Sequence, residues 1–411
     1  MLNFNFNFNF NFIFLFLFLF ILPLALCWAD GDHYKNALIG GRAATMGGAY
    51  VAISDDASGS YYNPGGLAYA SGSSISGSAN TYYISKAKYK NTIGNRDWDR
   101  ENINLLPNFF GIVQKFEKFS FGLSYVVPDS FIEHQDQYYR DITETSTAIN
   151  IYTLNIHSED NTYQMGPSFA YEFAPSFSLG LTLHYHYRVL RKAQSQLVKY
   201  SASSDESSYL NTLKKEKGIK SKLGLIWSPI QKLSLGFTAA KTIILTALND
   251  SQQNSKVTGS SSNSFDVSSD IRKRQLPYEF SLGAALFTTP YFLISSDFSY
   301  YLKPDETKEH TWNAALGSEI FLGESNALRF GLYTNRTNNK DVSSSTLAPH
   351  DHIDYYGGTL GWSLYSKATT ITFGGSYSYG SGKAQVYSGS TVSRDFNRYT
   401  MNFILAVDYG L

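Results

Sequence analysis

From residue 73 to Leu411, apolar and polar side chains alternate with a period of two in one stretch after another. Alternation of this kind places apolar residues on one face of a β-strand and polar residues on the other. In the last stretch Met401, Phe403, Leu405, Val407, Tyr409 and Leu411 share one face, and Asn402, Ala406, Asp408 and Gly410 the other. Near 176–191, Leu179, Leu181, Leu183, Tyr185 and Tyr187 oppose Thr182, His184, His186 and Arg188. Near 291–302, Phe292, Ile294, Phe298, Tyr300 and Leu302 oppose Ser295, Asp297 and Ser299. The pattern predicts fourteen strands, near 73–87, 105–116, 118–128, 161–174, 176–191, 217–228, 232–245, 273–288, 291–302, 308–322, 326–336, 352–365, 369–380 and 395–411.

The connections between these strands alternate in length. Glu117-Lys118, Ala174-Pro175-Ser176, Ser228 to Gln231, Thr289-Pro290-Tyr291, Gly323-Glu324-Ser325 and Ser366-Lys367-Ala368 are tight. The stretches 88–104, 129–160, 192–216, 246–272, 337–351 and 381–394 are long and polar, and Lys303 to Thr307 is a brief exception on the long side. Tight turns at one end and long loops at the other predict a transmembrane antiparallel β-barrel, with periplasmic turns and extracellular loops. The apolar faces then meet lipid, because a basic residue on that face costs about 2–4 kcal/mol at mid-bilayer. An open sheet edge is untenable in hydrocarbon, so the first strand, Ser73 to Ala87, is expected to pair with the last. A barrel this wide is not filled by its own side chains. Residues 30–72 are the segment expected to plug it.

Composition supports this class. Lys+Arg and Asp+Glu number 34 each, so there is no basic excess to suggest a nucleic-acid partner. After the leader no apolar run approaches the roughly 20 residues of a membrane helix. Ile13 to Leu22 is apolar and is followed by Pro23, which predicts a signal peptide over 1–29, cut after Ala29. Asn3 to Asn11 alternates Asn with Phe and lacks the usual basic residues. A lipoprotein signal at Leu24 to Cys27 is the alternative, with a bulky Leu26 where a small residue is expected. Cys27 is the single cysteine, so a chain cut after Ala29 has no thiol for a disulfide or a thiolate metal site.

One stretch differs from the strands. Gly40-Gly41-Arg42-Ala43-Ala44-Thr45-Met46-Gly47-Gly48-Ala49-Tyr50 runs on to Asp55-Asp56-Ala57 and to Tyr61-Tyr62-Asn63-Pro64-Gly65-Gly66-Leu67-Ala68. Its glycines and its Asn-Pro-Gly-Gly turn suit a compact, sharply bent segment. It resembles the N-terminal hatch of the FadL family, the outer-membrane channels for long-chain fatty acids and other hydrophobic compounds. That family carries Asn-Pro-Ala here; Asn63 and Pro64 match, and Gly65 stands in place of alanine. Looser similarity continues in Pro107 to Gly111, Lys118 to Leu123, Trp227 to Pro229 and Leu233 to Phe237.

The resemblance implies an all-β fold: a barrel of about fourteen strands over 73–411 with a hatch over 30–72. It implies passive uptake of hydrophobic or amphipathic small molecules, with no cofactor, no enzymatic activity and outer-membrane lipids as surroundings. The hatch turn Asn63, Pro64, Gly65 and Gly66 would help form the ligand passage and move to open it. The terminal alternation resembles the signal read by barrel-assembly machinery, although most members end in Phe and this chain ends in Leu411. In its wide sense the family includes PorV-like proteins that serve secretion or surface attachment, which leaves that role as an alternative. The polar external stretches argue against a greasy capture groove outside.

Individual side chains give further candidates. Arg188 and Arg329 face inward and are suited to hold a carboxylate head group. The competing reading pairs them with lumen acids such as Glu172, Asp297, Glu319 or Asp408. His184 and His186 have a spacing that can ligate a metal, but no third ligand is evident in sequence, and a polar lumen accounts for them. Pro349 to Asp354 is a dense group of polar ligands that reads as a solvated loop. A lipid-cleaving barrel enzyme would need Ser, His and an acid converging across strands; no Gly-x-Ser-x-Gly elbow is present. Pro128, at the end of the third strand, is a candidate kink for a lateral opening.

Overall fold

The computed structural model describes residues 33–93, 96–143, 148–201, 205–258, 263–342, 350–385 and 393–411. The expected signal peptide, with Cys27 and the cleavage after Ala29, lies outside them. The strands are β1 (Ser74–Ile93), β2 (Arg96–Phe116), β3 (Phe119–Ile142), β4 (Ile149–Ala174), β5 (Phe177–Tyr200), β6 (Glu206–Ile230), β7 (Leu233–Val257), β8 (Asn263–Asp270), β9 (Tyr278–Thr289), β10 (Phe292–Tyr301), β11 (Thr311–Phe321), β12 (Asn326–Asn335), β13 (Asp351–Tyr365), β14 (Thr369–Ala384) and β15 (Arg394–Gly410). All but β8 form a closed antiparallel barrel of fourteen strands. The seam is the β1–β15 ladder, from Ser74 opposite Gly410 to Tyr89 opposite Phe396. β8 lies outside the cylinder and pairs only with the far half of β7, Asn249 to Lys256.

The alternation fixes the two faces of the wall. Phe403, Val407 and Tyr409 are exposed on the outer face of β15, while Ile404 and Ala406 between them are buried. On β5, Leu179, Leu183 and Tyr185 point out, and Thr182, His184, His186 and Arg188 are buried inside. Outward tyrosines stack across strands at one level: Tyr125 on Tyr163 (6.3 Å between centroids) and Tyr163 on Tyr187 (6.2 Å). Aromatic rings of this kind form the girdles at the membrane interfaces.

The structure corrects the expected loops. Much of 88–104, 129–160, 192–216 and 246–257 is strand: β3 and β4 stay paired out to Ile142 opposite Ile149, and β5 and β6 out to Val198 opposite Glu206. Beyond the bilayer both faces of a strand can meet water, so the apolar half of the alternation fades while the backbone ladder continues. Period-two hydrophobicity therefore marks where a strand meets lipid, not where it ends.

Residues 33–72 run inside the cylinder. They contain two short helices, α1 (Gly41–Thr45) and α2 (Gly59–Tyr62), and a 3-10 turn at Pro64–Tyr69. Ile39, Met46, Tyr50 and Leu67 are fully buried, in one apolar cluster that also takes Phe109, Val113, Val126, Ala285 and Leu293 from the wall. Eight glycines and Pro64 bend this stretch and leave it without a ladder of its own, so several of its backbone polar groups find partners on the wall.

Candidate functional site

The wall is incompletely zipped at one place. β2 and β3 pair only from Phe109 opposite Val126 to Phe116 opposite Phe119. Above that level β2 continues to pair with β1, and β3 with β4. The β3–β4 register shifts between Val126 and Asp129. Val126 and Val127 are both fully buried, so the alternation breaks at the residue before Pro128. Pro128 has no N–H to give a ladder, and its carbonyl instead accepts from the amide of Ala37 at 3.2 Å.

The chain entering the bore fills this notch. Asn36 Nδ2 donates to Asp129 Oδ1 on the β3 side at 3.0 Å. Asn108 Nδ2, on the β2 side, donates to the carbonyl of Leu38 at 2.8 Å. On its other flank the same strap is held by β12: Asn335 Oδ1 accepts from the amide of Lys35 (3.2 Å), and Asn335 Nδ2 donates to Asn36 Oδ1 (3.1 Å). Further out, side chains stitch β2 to β3. Arg100 pairs with Glu133, and Gln135 Nε2 donates to the Glu101 carbonyl at 3.0 Å. An apolar group lies at that outer level, with Tyr89 stacked on Phe396 (4.7 Å between centroids) beside Trp98, Leu154, Ile156, Ile353 and Tyr355.

Below the strap, the Asn63 to Gly66 turn is pinned to the wall. Asn63 is fully buried; its Nδ2 donates to the carbonyls of Val51 (2.7 Å) and Leu225 (2.9 Å), and its Oδ1 accepts from the Gly65 amide (3.0 Å). Pro64 occupies the first position of the 3-10 turn, where a missing N–H is harmless. The Gly65 carbonyl accepts from Ser178 Oγ at 2.8 Å, and a Cβ on Gly66 would stand 2.3 Å from the Ser54 carbonyl oxygen. Asn63→Ala is expected to remove three hydrogen bonds from a buried turn and to take its acceptor from the Gly65 amide, at about 1–3 kcal/mol. Thermal unfolding in detergent checks this, and an unchanged midpoint would refute it.

Where the buried segment packs closest on the wall, the wall is glycine. Gly180 faces Gly224, Gly236 faces Gly283, Gly317 faces Gly331 and Gly361 faces Gly374 in adjacent strands. A Cβ on Gly224 would come within 2.0 Å of Asn63 Oδ1, and one on Gly331 within 2.2 Å of the Gly47 nitrogen. Hydroxyls and carboxylates between these glycines take up the backbone polar groups. Asp297 Oδ2 accepts from the amides of Tyr50 (2.7 Å) and Val51 (2.9 Å), and Ser234 Oγ donates to the Ala52 carbonyl (2.6 Å). This belt runs from β5 round to β14. From β15 through β4 the described residues hold no such facing glycine pair, and the unzipped β2–β3 notch lies there.

Charge anchors the segment as well. Arg42 of α1 donates to Glu319 of β11 (Nη2 to Oε2, 2.6 Å) and to Asp55 (2.7 Å). Glu319 also accepts from Arg329 Nε at 2.7 Å, and the Glu319 and Arg329 side chains are 0% and 1% exposed. Arg329 is thus committed to Glu319, Ser363 and Tyr365. Arg188 pairs with Asp160 at 2.5 Å and lies 3.5 Å from Glu216. Of the acids considered from sequence, Glu319 is one of these partners; Asp160 and Glu216 sit in stretches read as loops. Burial, and then the neighbouring Asp55, raise the Asp56 carboxyl above its ordinary value. His184 Nε2 lies 2.9 Å from Ser124 Oγ, and the buried His186 ring has no hydrogen-bond partner among the described residues. No group of three or more His, Cys, Asp or Glu suited to a metal occurs among the described residues. In the 349–354 group, Pro349 lies outside the described residues, Asp354 pairs with Arg336 and His352 with Asp341.

Sequence reasoning did not single out Arg42, Asn36 or Asn108. Arg42 carried a signal, as the one cation in a glycine- and alanine-rich stretch. Asn36 and Asn108 carried none, because each acts on a partner far along the chain.

Residues 25–285 match the outer membrane protein transport protein family (OMPP1/FadL/TodX). No curated protein sequence matches the chain. Among solved structures, the Pseudomonas putida toluene transporter TodX superposes with a TM-score of 0.65 at 12% identity, covering 91% of this chain and 98% of that one. A Pseudomonas aeruginosa FadL homologue superposes with a TM-score of 0.60 at 14% identity, covering 93% and 99%. The monoaromatic hydrocarbon channel CymD does so with 0.61 at 12%, covering 91% and 97%. At these identities the structures show a shared fold, and the sequence match shows the family. This chain belongs to the outer membrane protein transport family of FadL and TodX, channels of the bacterial outer membrane for hydrophobic compounds.

Proposed function

We propose that this barrel passes hydrophobic or amphipathic small molecules inward and releases them sideways between β2 and β3, with Asn36 to Leu38 as the movable stop. The supporting observation is the early end of the β2–β3 ladder at Phe109 and Val126, with the strap hydrogen-bonded to both sides of the notch. The strap's bonds are few and lie in a partly wetted bore, where each nets only about 0.5–1.5 kcal/mol. Its displacement therefore costs far less than tearing the buried segment off its glycine belt. Residues 30–72 act as the hatch on this reading, with the Asn63 to Gly66 turn as a fixed anchor and Pro128 at the lateral opening.

Sideways release suits an apolar cargo, because it never has to re-expose in water the surface it buried, at about 25 cal/mol per Å². The aromatic group around Tyr89, Trp98 and Phe396 offers an apolar station on the extracellular side of the strap. Arg188 and Arg329, already paired with acids, serve the wall and not a head group. Membership of a transporter family favours this role over secretion or lipid cleavage. The related channels include transporters of toluene and of other monoaromatic hydrocarbons, so the cargo range to test runs from these to long-chain fatty acids. Cells with the protein should take up labelled toluene or labelled long-chain fatty acid faster than cells without it. Equal rates for both compounds would reject the proposal.

A further inference from the structure

The β3–β4 hairpin carries two imidazoles that the transport reading does not use. His134 and His157 stand directly opposite each other across the ladder, and both are exposed on its outer face. Their Nδ1 atoms are 2.9 Å apart and their ring centroids 5.1 Å. His157 is six residues beyond Tyr163 of the aromatic girdle, about 15 Å further out along a tilted strand. The pair therefore sits in the extracellular aqueous layer, where a dissolved ion reaches it.

We propose that His134 and His157 form a two-imidazole site for a transition metal of tetragonal preference, divalent copper or nickel. Neutral imidazole is a common metal ligand and binds through either ring nitrogen. Two bonds of about 2.0–2.1 Å at a right angle put their nitrogens about 2.9 Å apart, whereas a tetrahedral angle needs about 3.4 Å. The observed spacing matches the first case, the geometry taken by copper(II) and nickel(II) with nitrogen and oxygen ligands. The ladder on either side is unbroken from Asp129 opposite Thr162 to Arg140 opposite Ile151, so the backbone holds both rings in place before any ion arrives. Asp136 and Glu159 lie two residues along the two strands, on the same face. Their negative charge favours a cation there. No third protein ligand from the described residues completes the site, so water takes the remaining positions. The competing account is a plain hydrogen bond between the two rings, with no affinity for metal.

The test is titration of the full, untagged, detergent-solubilised barrel with copper(II) chloride, read by calorimetry and by electron paramagnetic resonance. One copper per chain with a spectrum of two imidazole nitrogens is expected. His134→Gln and His157→Gln should each weaken that equivalent by on the order of ten-fold or more. His352→Gln, on another strand, should leave it unchanged. Both substituted histidines are exposed, so thermal unfolding without metal should match the parent and exclude misfolding as the cause. An equivalent that survives both substitutions, or no bound copper at one per chain, overturns the site.

Discussion

Tying the strap to the wall is expected to stop uptake. A chain with Asn36→Cys and Asp129→Cys, joined by a short thiol cross-linker, should transport only in proportion to the fraction left unlinked. The native side chains already meet at 3.0 Å, so the linker fixes a contact that exists. Cys27 is the single cysteine and falls in the expected leader, so the two new thiols would have no competitor in a chain cut after Ala29. A reducible linker should restore the rate on reduction. Initial uptake of a labelled hydrophobic compound in intact cells measures the effect. Full activity of the linked protein would place the exit elsewhere in the wall.

The second large effect is expected at Glu319. This carboxylate is 0% exposed and bonds both Arg42 of the inner segment and Arg329 of the wall. Glu319→Ala leaves two guanidinium groups facing each other with little water, and breaking a buried ion pair from one side costs about 3–5 kcal/mol. The loss falls on the contact between segment and barrel, so it should appear twice. Unfolding in urea should shift to lower concentration, and cells should become more permeable to small hydrophilic antibiotics. Glu319→Gln keeps an acceptor and should fall between. Unchanged stability in Glu319→Ala would show that Arg42 is held by other groups.

The wall was legible in the sequence to a greater degree than what it holds. Each of the fourteen predicted strands corresponds to a barrel strand, because lipid on one side and a polar bore on the other impose period-two contrast on the chain. Where that contrast lapses, as along 129–160, the ladder persists unseen. Asn63 and Pro64 were legible because a turn has local chemistry. Gly224, Gly283 and Gly331 were not, since a glycine within a strand reads only as a weak point. What makes each of them necessary is an atom of residues 47–63, the Asn63 side chain at Gly224 and backbone at Gly283 and Gly331, more than a hundred positions away. Pro128 could be marked as a break in its strand, but its carbonyl's partner, Ala37, follows only from the closed cylinder.

The bare glycines have a consequence for how such a protein comes into being. A cylinder closed first would present a band of backbone with nothing against it, and threading residues 39–68 in afterwards would require every one of those close approaches to be found in a confined space. The seam between β1 and β15 is itself part of the lining: Ala406 lies 2.6 Å from where a side chain on Gly41 would begin. Closure and filling are therefore expected to be coupled in assembly, with residues 39–68 in place as the last strands are laid.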